Sequence, residues 1–160
     1  GFETQVDDHP AFANYGNDPF GALFVTVDGI DAAVSFTCNE GGCMQLTADF
    51  VGGTVNGDLF EGSNTLGARN VSTDIDYENG QITDAGFSGG SLIYNFEFTG
   101  GGQPFLGETG TAEAATVTGR FFGDEADQVG VVYEGAYTDT AGDRIRFSRA
   151  GDSVKTAAPF

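Results

Sequence analysis

The stretch that decides the fold class is residues 91–100, which run SLIYNFEFTG. In an extended strand, successive side chains point to opposite faces. One face of this strand therefore carries Leu92, Tyr94, Phe96 and Phe98, and the other carries Ile93, Asn95 and Glu97. A face with three aromatic rings needs burial. We expect it to line the inside of a barrel.

The same pattern of short runs, each ended by glycine, asparagine or aspartate, continues on both sides of this stretch. The expected strands cover residues 20–27, 32–37, 44–50, 54–60, 68–77, 82–87, 91–99, 112–122, 129–138 and 144–149. Many short strands must close on themselves or pair as two sheets, because open edges invite association. We predict an all-β fold, a single antiparallel barrel of about eight strands, with one short helical turn at 124–128.

Turn-forming residues separate these strands. The pair Asn79-Gly80 predicts a hairpin between Asp74–Tyr77 and Ile82–Thr83, because this dipeptide favours two-residue hairpin turns. Residues 28–31 and 139–143 are expected to be hairpin loops. The chain has 26 glycines but only 4 prolines, without a three-residue period, so turns explain the glycine and collagen is excluded.

The domain organisation follows from the length of 160 residues, which suits one domain. Residues 1–19 are predicted to form an extended arm, 20–150 the barrel and 151–160 a tail. Prolines after His9 and Asp18 favour extended geometry in the arm. A ligand or a second copy is expected to contact the aromatic residues of this region and its histidine, which are Phe2, His9, Phe12, Tyr15 and Phe20.

The charge balance excludes two classes of partner. There are 24 acidic residues and 6 basic residues, a net charge of −18. Nucleic acid and anionic membrane surfaces are therefore poor partners. No apolar run reaches the roughly 18 residues of a membrane helix. Such acidity is typical of proteins in salt water or outside the cell.

The two cysteines point to the same environment. Cys38 and Cys43 flank a polar loop between two expected strands, so we predict that they form a disulfide. A free buried pair and a metal site are the alternatives, and two cysteines without a nearby histidine are at best half of a zinc site. A disulfide indicates an oxidising compartment.

Catalytic groups are scarce. His9 is the only histidine, and the chain has no GxSxG nucleophile motif, so we expect no enzyme activity. His9 could instead be solvated, or be an axial haem ligand beside nearby aromatic residues. Asp74 and Asp76 share a strand face, where they could bind Ca²⁺ or face solvent. We expect no metal or other cofactor.

Arginines cluster on the last expected strand, at Arg144, Arg146 and Arg149, with the first two sharing a face. Pairing with neighbouring aspartates is the simplest interpretation, and contact with an anion or an acidic partner is the alternative.

Two stretches resemble a known family. Residues 48–57, ADFVGGTVNG, are similar to a hairpin of bacterial transferrin-binding-protein-like β-barrels, through Asp49, Phe50 and Gly57. Residues 117–130, VTGRFFGDEADQVG, resemble that family's signature. Its matching positions are Gly119, Phe121, Phe122, Gly123, Ala126 and Gly130. We interpret all nine residues as structural, with one ring of Phe121 and Phe122 inside the barrel and one outside.

The resemblance implies a non-catalytic, eight-stranded barrel on the outer surface of a Gram-negative-type bacterium that binds a host or environmental ligand, either a protein or a small molecule. The alternative is an extracellular structural subunit whose copies assemble through the arm. A haem-binding protein that uses His9 is a special case of the binding hypothesis.

Overall fold

The protein is described from a computed structural model, which covers residues 12–16, 22–27, 32–38, 44–66, 69–100, 108–140 and 142–156. These residues form twelve strands: β1 Phe12–Gly16, β2 Ala22–Val27, β3 Ala32–Cys38, β4 Gln45–Asp49, β5 Thr54–Leu66, β6 Arg69–Thr83, β7 Gly86–Ser88, β8 Ser91–Gly100, β9 Glu108–Thr111, β10 Glu113–Phe122, β11 Gln128–Thr138 and β12 Arg144–Lys155. The described residues contain no helix, and hence none long and apolar enough to cross a membrane.

The twelve strands make a closed barrel of eight antiparallel positions. Four of these positions each hold two consecutive strands. β1 and β2 share the position next to β12, and β3 and β4 share the position next to β5. Likewise, β7 and β8 pair with β6 in one continuous register. β9 and β10 share the fourth such position, because β9 pairs with β8, while β10 pairs with β7 and β11. The pairing of β5 with β6 completes the ring, so the predicted eight-stranded barrel is confirmed.

Large side chains fill the interior. An eight-stranded barrel is just wide enough for side chains or for one small ligand. Here the largest fully buried residues are Tyr15, Tyr77, Tyr133, Phe60, Phe96 and Phe147. In residues 91–100, Leu92 and Phe96 are buried and Tyr94 is half-buried, as the alternation predicts. Tyr94 stacks on Tyr137, with ring centroids 3.8 Å apart.

Three of the interior tyrosines hydrogen-bond carbonyls where the strands are interrupted. Leu59 lies at a bulge in β5 and has no partner in the registers with the neighbouring strands. Tyr133 of β11 donates its hydroxyl to the Leu59 carbonyl at 3.0 Å across the interior. Tyr77 donates to the carbonyl of Gly89 between β7 and β8, and Tyr15 donates to that of Ala126. Each bond satisfies a carbonyl outside the regular ladder.

We expect Tyr133→Phe to lower the free energy of unfolding by about 1–3 kcal/mol, because it leaves the buried Leu59 carbonyl without its donor while keeping the ring. Urea denaturation of the purified protein measures this. Tyr94→Phe is the matched control, because Tyr94 is only half-buried, and it should change stability by less than about 0.5 kcal/mol. Equal effects of the two variants would refute the role given to the Leu59 bond.

The predicted hairpin at Asn79-Gly80 is wrong. β6 runs through both residues and turns only at Asp84-Ala85. Asn79 has a φ of 61° and lies in a bulge opposite Asn56, whose side-chain oxygen accepts a hydrogen bond from the Asn79 backbone at 2.9 Å. An Asn-Gly pair suits a left-handed bulge as well as a turn.

The strands on either side of the hairpin loops expected at 28–31 and 139–143 pair directly with each other, while residues 28–31 and 141 themselves lie outside the described residues. The helical turn expected at 124–128 is wrong: residues 123–126 form a hydrogen-bonded turn in which Ala126 N donates to Gly123 O, Ala126 has a φ of 53°, and Gln128 already begins β11. Residues 12–16 lie in the barrel wall as β1, and β12 continues to Lys155. The wall thus extends beyond residues 20–150 on both sides, because β1 and the end of β12 pair with each other.

Candidate functional site

The aromatic pair of the 117–130 stretch divides between the two faces of the wall. Phe121 is 3% exposed, whereas Phe122 is 48% exposed. Phe121 contacts the rings of Tyr15, Phe50 and Phe87. Gly119 makes room for Phe87, because a Cβ there would lie 2.0 Å from its ring. Gly119 therefore accommodates an aromatic ring of the interior.

The remaining residues of the two stretches form turns and a close strand contact. Asp49 accepts hydrogen bonds from Gly52 N through its side chain and from Gly53 N through its carbonyl. Gly57 has a φ of 145°, and a Cβ there would meet the Gln45 carbonyl at 2.2 Å. Gly123 and Ala126 both have positive φ, and Ala126 is fully buried. These residues form turns and a close strand contact in the barrel wall.

The most unusual charged feature is on the outside of β5 and β6, and we call it the acidic wall. It consists of Asp58, Glu61, Asp74 and Asp76. Asp58 lies directly opposite Asp76 in the ladder, and Glu61 lies directly opposite Asp74. Like charges that face each other across a strand pair are destabilising. Proteins rarely keep such an arrangement for stability, which makes the acidic wall the candidate functional site.

Two carboxyl groups of the acidic wall have raised pKa values. Burial, a hydrogen bond with Asp76 and the surrounding carboxylates raise the pKa of Asp58 to about 7. Burial and the charge of Asp76 raise the pKa of Asp74 to about 6. The Asp74 Oδ1 atom is buried without a hydrogen-bond partner. The negative charge of the acidic wall therefore depends on pH in the physiological range.

An open groove of about 510 Å³ borders the acidic wall, lined by Asn56, Gly57, Asp58, Asp76, Tyr77, Glu78 and Asn79. Carboxylate oxygens of Asp58, Asp74 and Asp76 lie within 4.8 Å of one another, which is close enough to share a cation. With one oxygen from each carboxylate, these three residues supply three ligands, fewer than the six to eight that Ca²⁺ takes. The groove and the charge suit contact with a positively charged surface.

The predicted contact residues are only partly within the described ranges. Phe12 is 41% exposed on the barrel wall, whereas Tyr15 points inward and is buried. Tyr15 therefore cannot contact a ligand directly. Phe2, His9 and Phe20 lie outside the described residues, as do Cys43 and the side chain of Cys38. Haem binding through His9, assembly through residues 1–19 and the disulfide remain predictions.

The three arginines of the last strand have different environments. Arg144 forms an ion pair, but its partner is Glu113 on β10 and not one of the neighbouring aspartates that were expected. Arg146 is exposed, on the same face. Arg149 points into the barrel, is 3% exposed and lies over the Phe60 ring, with 5.8 Å from its Cζ atom to the ring centroid. The alternation of β12 separates Arg149 from the other two.

The sequence analysis paired Asp74 with Asp76 but missed Asp58 and Glu61. These two residues follow bulged positions in β5, and only the register of β5 against β6 brings them opposite the aspartates. Two aspartates separated by one residue, on a strand next to another strand with acidic residues, are a weak signal. The sequence alone does not show which acidic residues of the second strand lie opposite them.

This combination defines a class of protein: a closed antiparallel barrel, filled by its own side chains, with its unusual charged groups on the outside. The family of the C-lobe and N-lobe beta barrels of Tf-binding protein B matches residues 22–148. The chain belongs to this family. No curated protein sequence matches it.

Solved structures agree on the fold. The chain is similar to transferrin binding protein B of Haemophilus parasuis Hp5, in a point mutant, with 15% identity and a TM-score of 0.51, covering 95% of this chain and 28% of that one. It is also similar to isotype 1 transferrin binding protein B from serogroup B Neisseria meningitidis, with 18% identity and a TM-score of 0.50. That match covers 92% of this chain and 26% of the other. The chain thus spans about a quarter of those proteins.

Proposed function

We propose that the chain is a non-catalytic binding domain on the outer surface of a Gram-negative-type bacterium, and that its ligand is a protein with a basic surface. Membership of a family named for a transferrin-binding protein supports the binding role. The observation that carries the choice of a protein ligand is the filled interior, which holds six fully buried aromatic residues.

A filled barrel differs from barrels that carry small molecules. Barrels of this size that bind a small ligand keep an open centre for it. Here Phe60, Phe96 and Phe147 occupy the centre together with the guanidinium of Arg149. Because these described side chains take up the interior, we place the ligand on the outer surface, where large and flat protein partners are accommodated.

The acidic wall gives this proposed contact its electrostatic character. Four carboxylates on two adjacent strands, in a chain with a net charge of −18, produce a strongly negative surface. Such a surface attracts a basic partner and raises the rate of association, with a marked dependence on salt. The structural cost of facing like charges is then explained by binding.

Surface plasmon resonance with immobilised transferrin as the probe tests the proposal. We expect saturable binding that weakens as ionic strength rises, because the contact is electrostatic. An acidic protein of similar size and charge but unrelated fold serves as the control for nonspecific attraction. Binding no stronger than that of the control would refute a transferrin-type function.

A further inference from the structure

The outer face of β10, β11 and β12 contrasts with the acidic wall on the opposite side of the barrel. Its outward-facing positions hold three basic and three acidic side chains: Arg120, Arg144, Arg146, Glu113, Glu134 and Asp152. It also holds three of the five exposed large hydrophobic residues described, which are Phe122, Val132 and Val154. In a chain of net charge −18, this neutral and partly apolar face has the character of an interface.

Two opposite charges on this face have no partner within the described part of the chain. The ladder places Arg120, Gly130 and Asp152 in one row across the three strands. Strands are about 4.8 Å apart, so Arg120 and Asp152 are separated by two such spacings, with Gly130 between them. Both side chains are exposed, and among the described residues neither makes an ion pair.

We propose that two copies of the chain associate through this face, related by a two-fold axis that runs along β11. Such an axis places β10 of one copy over β12 of the other, and the residues of one row remain at the same level along the strands. Arg120 then faces Asp152 of the second copy, and the symmetry repeats this ion pair. Arg120 and Asp152, which make no ion pair among the described residues of their own chain, each obtain a partner in this arrangement.

The same two-fold axis also pairs the exposed apolar residues of the two copies. Phe122 and Val154 share the next row, on either side of Gln128. The axis therefore places Phe122 of one copy over Val154 of the other, twice. Val132, which is 61% exposed, lies on the axis and meets its own copy. Glu134 also faces its copy, which is the one unfavourable contact of the arrangement.

The shape of the barrel is compatible with this contact. A barrel wall is convex, so β10 and β12 curve away from a second copy that contacts β11. Gly130 at the centre has no side chain, and the exposed Phe122 ring lies beside it, since a Cβ at Gly130 would be 3.3 Å from that ring. Net repulsion between two acidic chains is screened beyond about 8 Å at physiological ionic strength, so the short-range pairs decide the outcome.

Sedimentation equilibrium at about 0.15 M salt, where the screening length is short, tests the proposal. We expect a wild-type dimer. Arg120→Asp and Asp152→Arg should each raise its dissociation constant about tenfold or more, because each places like charges opposite one another. The double variant restores both ion pairs in reverse and keeps the net charge at −18, so it should regain the wild-type constant.

Glu97→Arg on β8 is the control, because it changes the charge as Asp152→Arg does at an exposed site outside the face. It should not weaken the dimer. Thermal melts monitored by circular dichroism verify that every variant is folded. A wild-type monomer at the highest soluble concentration, or a double variant as weak as the single ones, would overturn the proposal. So would an equal loss in Glu97→Arg.

Discussion

Gly57→Ala is expected to destabilise the barrel by about 3 kcal/mol or more, which corresponds to a drop of about 6–12 °C in Tm. Gly57 has a φ of 145°, which residues with a Cβ rarely adopt. An added Cβ would lie 2.2 Å from the Gln45 carbonyl oxygen and 2.9 Å from the Leu46 Cα. Both are backbone atoms of β4, so β4 and β5 would have to separate.

Gly53→Ala is the control, because it introduces backbone strain without steric overlap. Gly53 also has a positive φ, of 75°, but a Cβ there would have no atom within 4 Å. Its cost should be about 1 kcal/mol, the strain of a left-handed residue. Differential scanning calorimetry compares the two variants with the wild type. Similar shifts in Tm would show that the contact with β4 is not tight.

Acidification from pH 8 to about pH 5 is expected to stabilise the protein, and Asp58→Asn should remove much of that gain. The pKa of Asp58 is raised from 3.8 to about 7 in the fold. Between about pH 4 and pH 7, Asp58 therefore keeps its proton in the folded state, whereas it has lost that proton in the unfolded state. This contribution to stability is fully present below about pH 4 and is lost as pH rises through 7.

The expected size of this effect is about 1–2 kcal/mol, discounted because Asp58 is only partly buried and water screens its neighbours. Asp74, with its pKa raised to about 6, adds to it in the same direction. Urea denaturation at pH 5, 6, 7 and 8 measures the slope. The control is Asp124→Asn, an exposed residue in the 123–126 turn. The interpretation fails if Asp58→Asn and the wild type have the same pH slope.

The barrel class could be predicted because alternation in each strand is a local property. The alternation of residues 91–100 specifies a buried aromatic face regardless of what pairs with it. Strand ends were less predictable, since β6 continues through Asn79-Gly80, where a bulge replaces the expected turn. Bulge and turn use the same residue types, and only the long-range pairing with β5 and β8 selects between them.

The candidate site was harder to predict than the fold. Local alternation placed Asp74 beside Asp76, but the register of β5 supplies Asp58 and Glu61. That register depends on two shifts in β5, one on each side of Gly57 and Asp58. The inward position of Tyr15 was missed for a related reason, since the pairing of β1 with β4 and β12 makes residues 12–16 part of the wall.

The central claim is that the acidic wall is the binding surface, and one comparison tests it most directly. Surface plasmon resonance on immobilised transferrin at pH 8 would compare the wild type with the triple variant Asp58→Asn, Asp74→Asn and Asp76→Asn. The matched control, with Asp124→Asn, Glu125→Gln and Asp127→Asn, loses the same charge in and beside the 123–126 turn. The account predicts about tenfold or greater weakening in the first variant and little change in the second. Equal affinities in all three proteins, or equal losses in both variants, would contradict it.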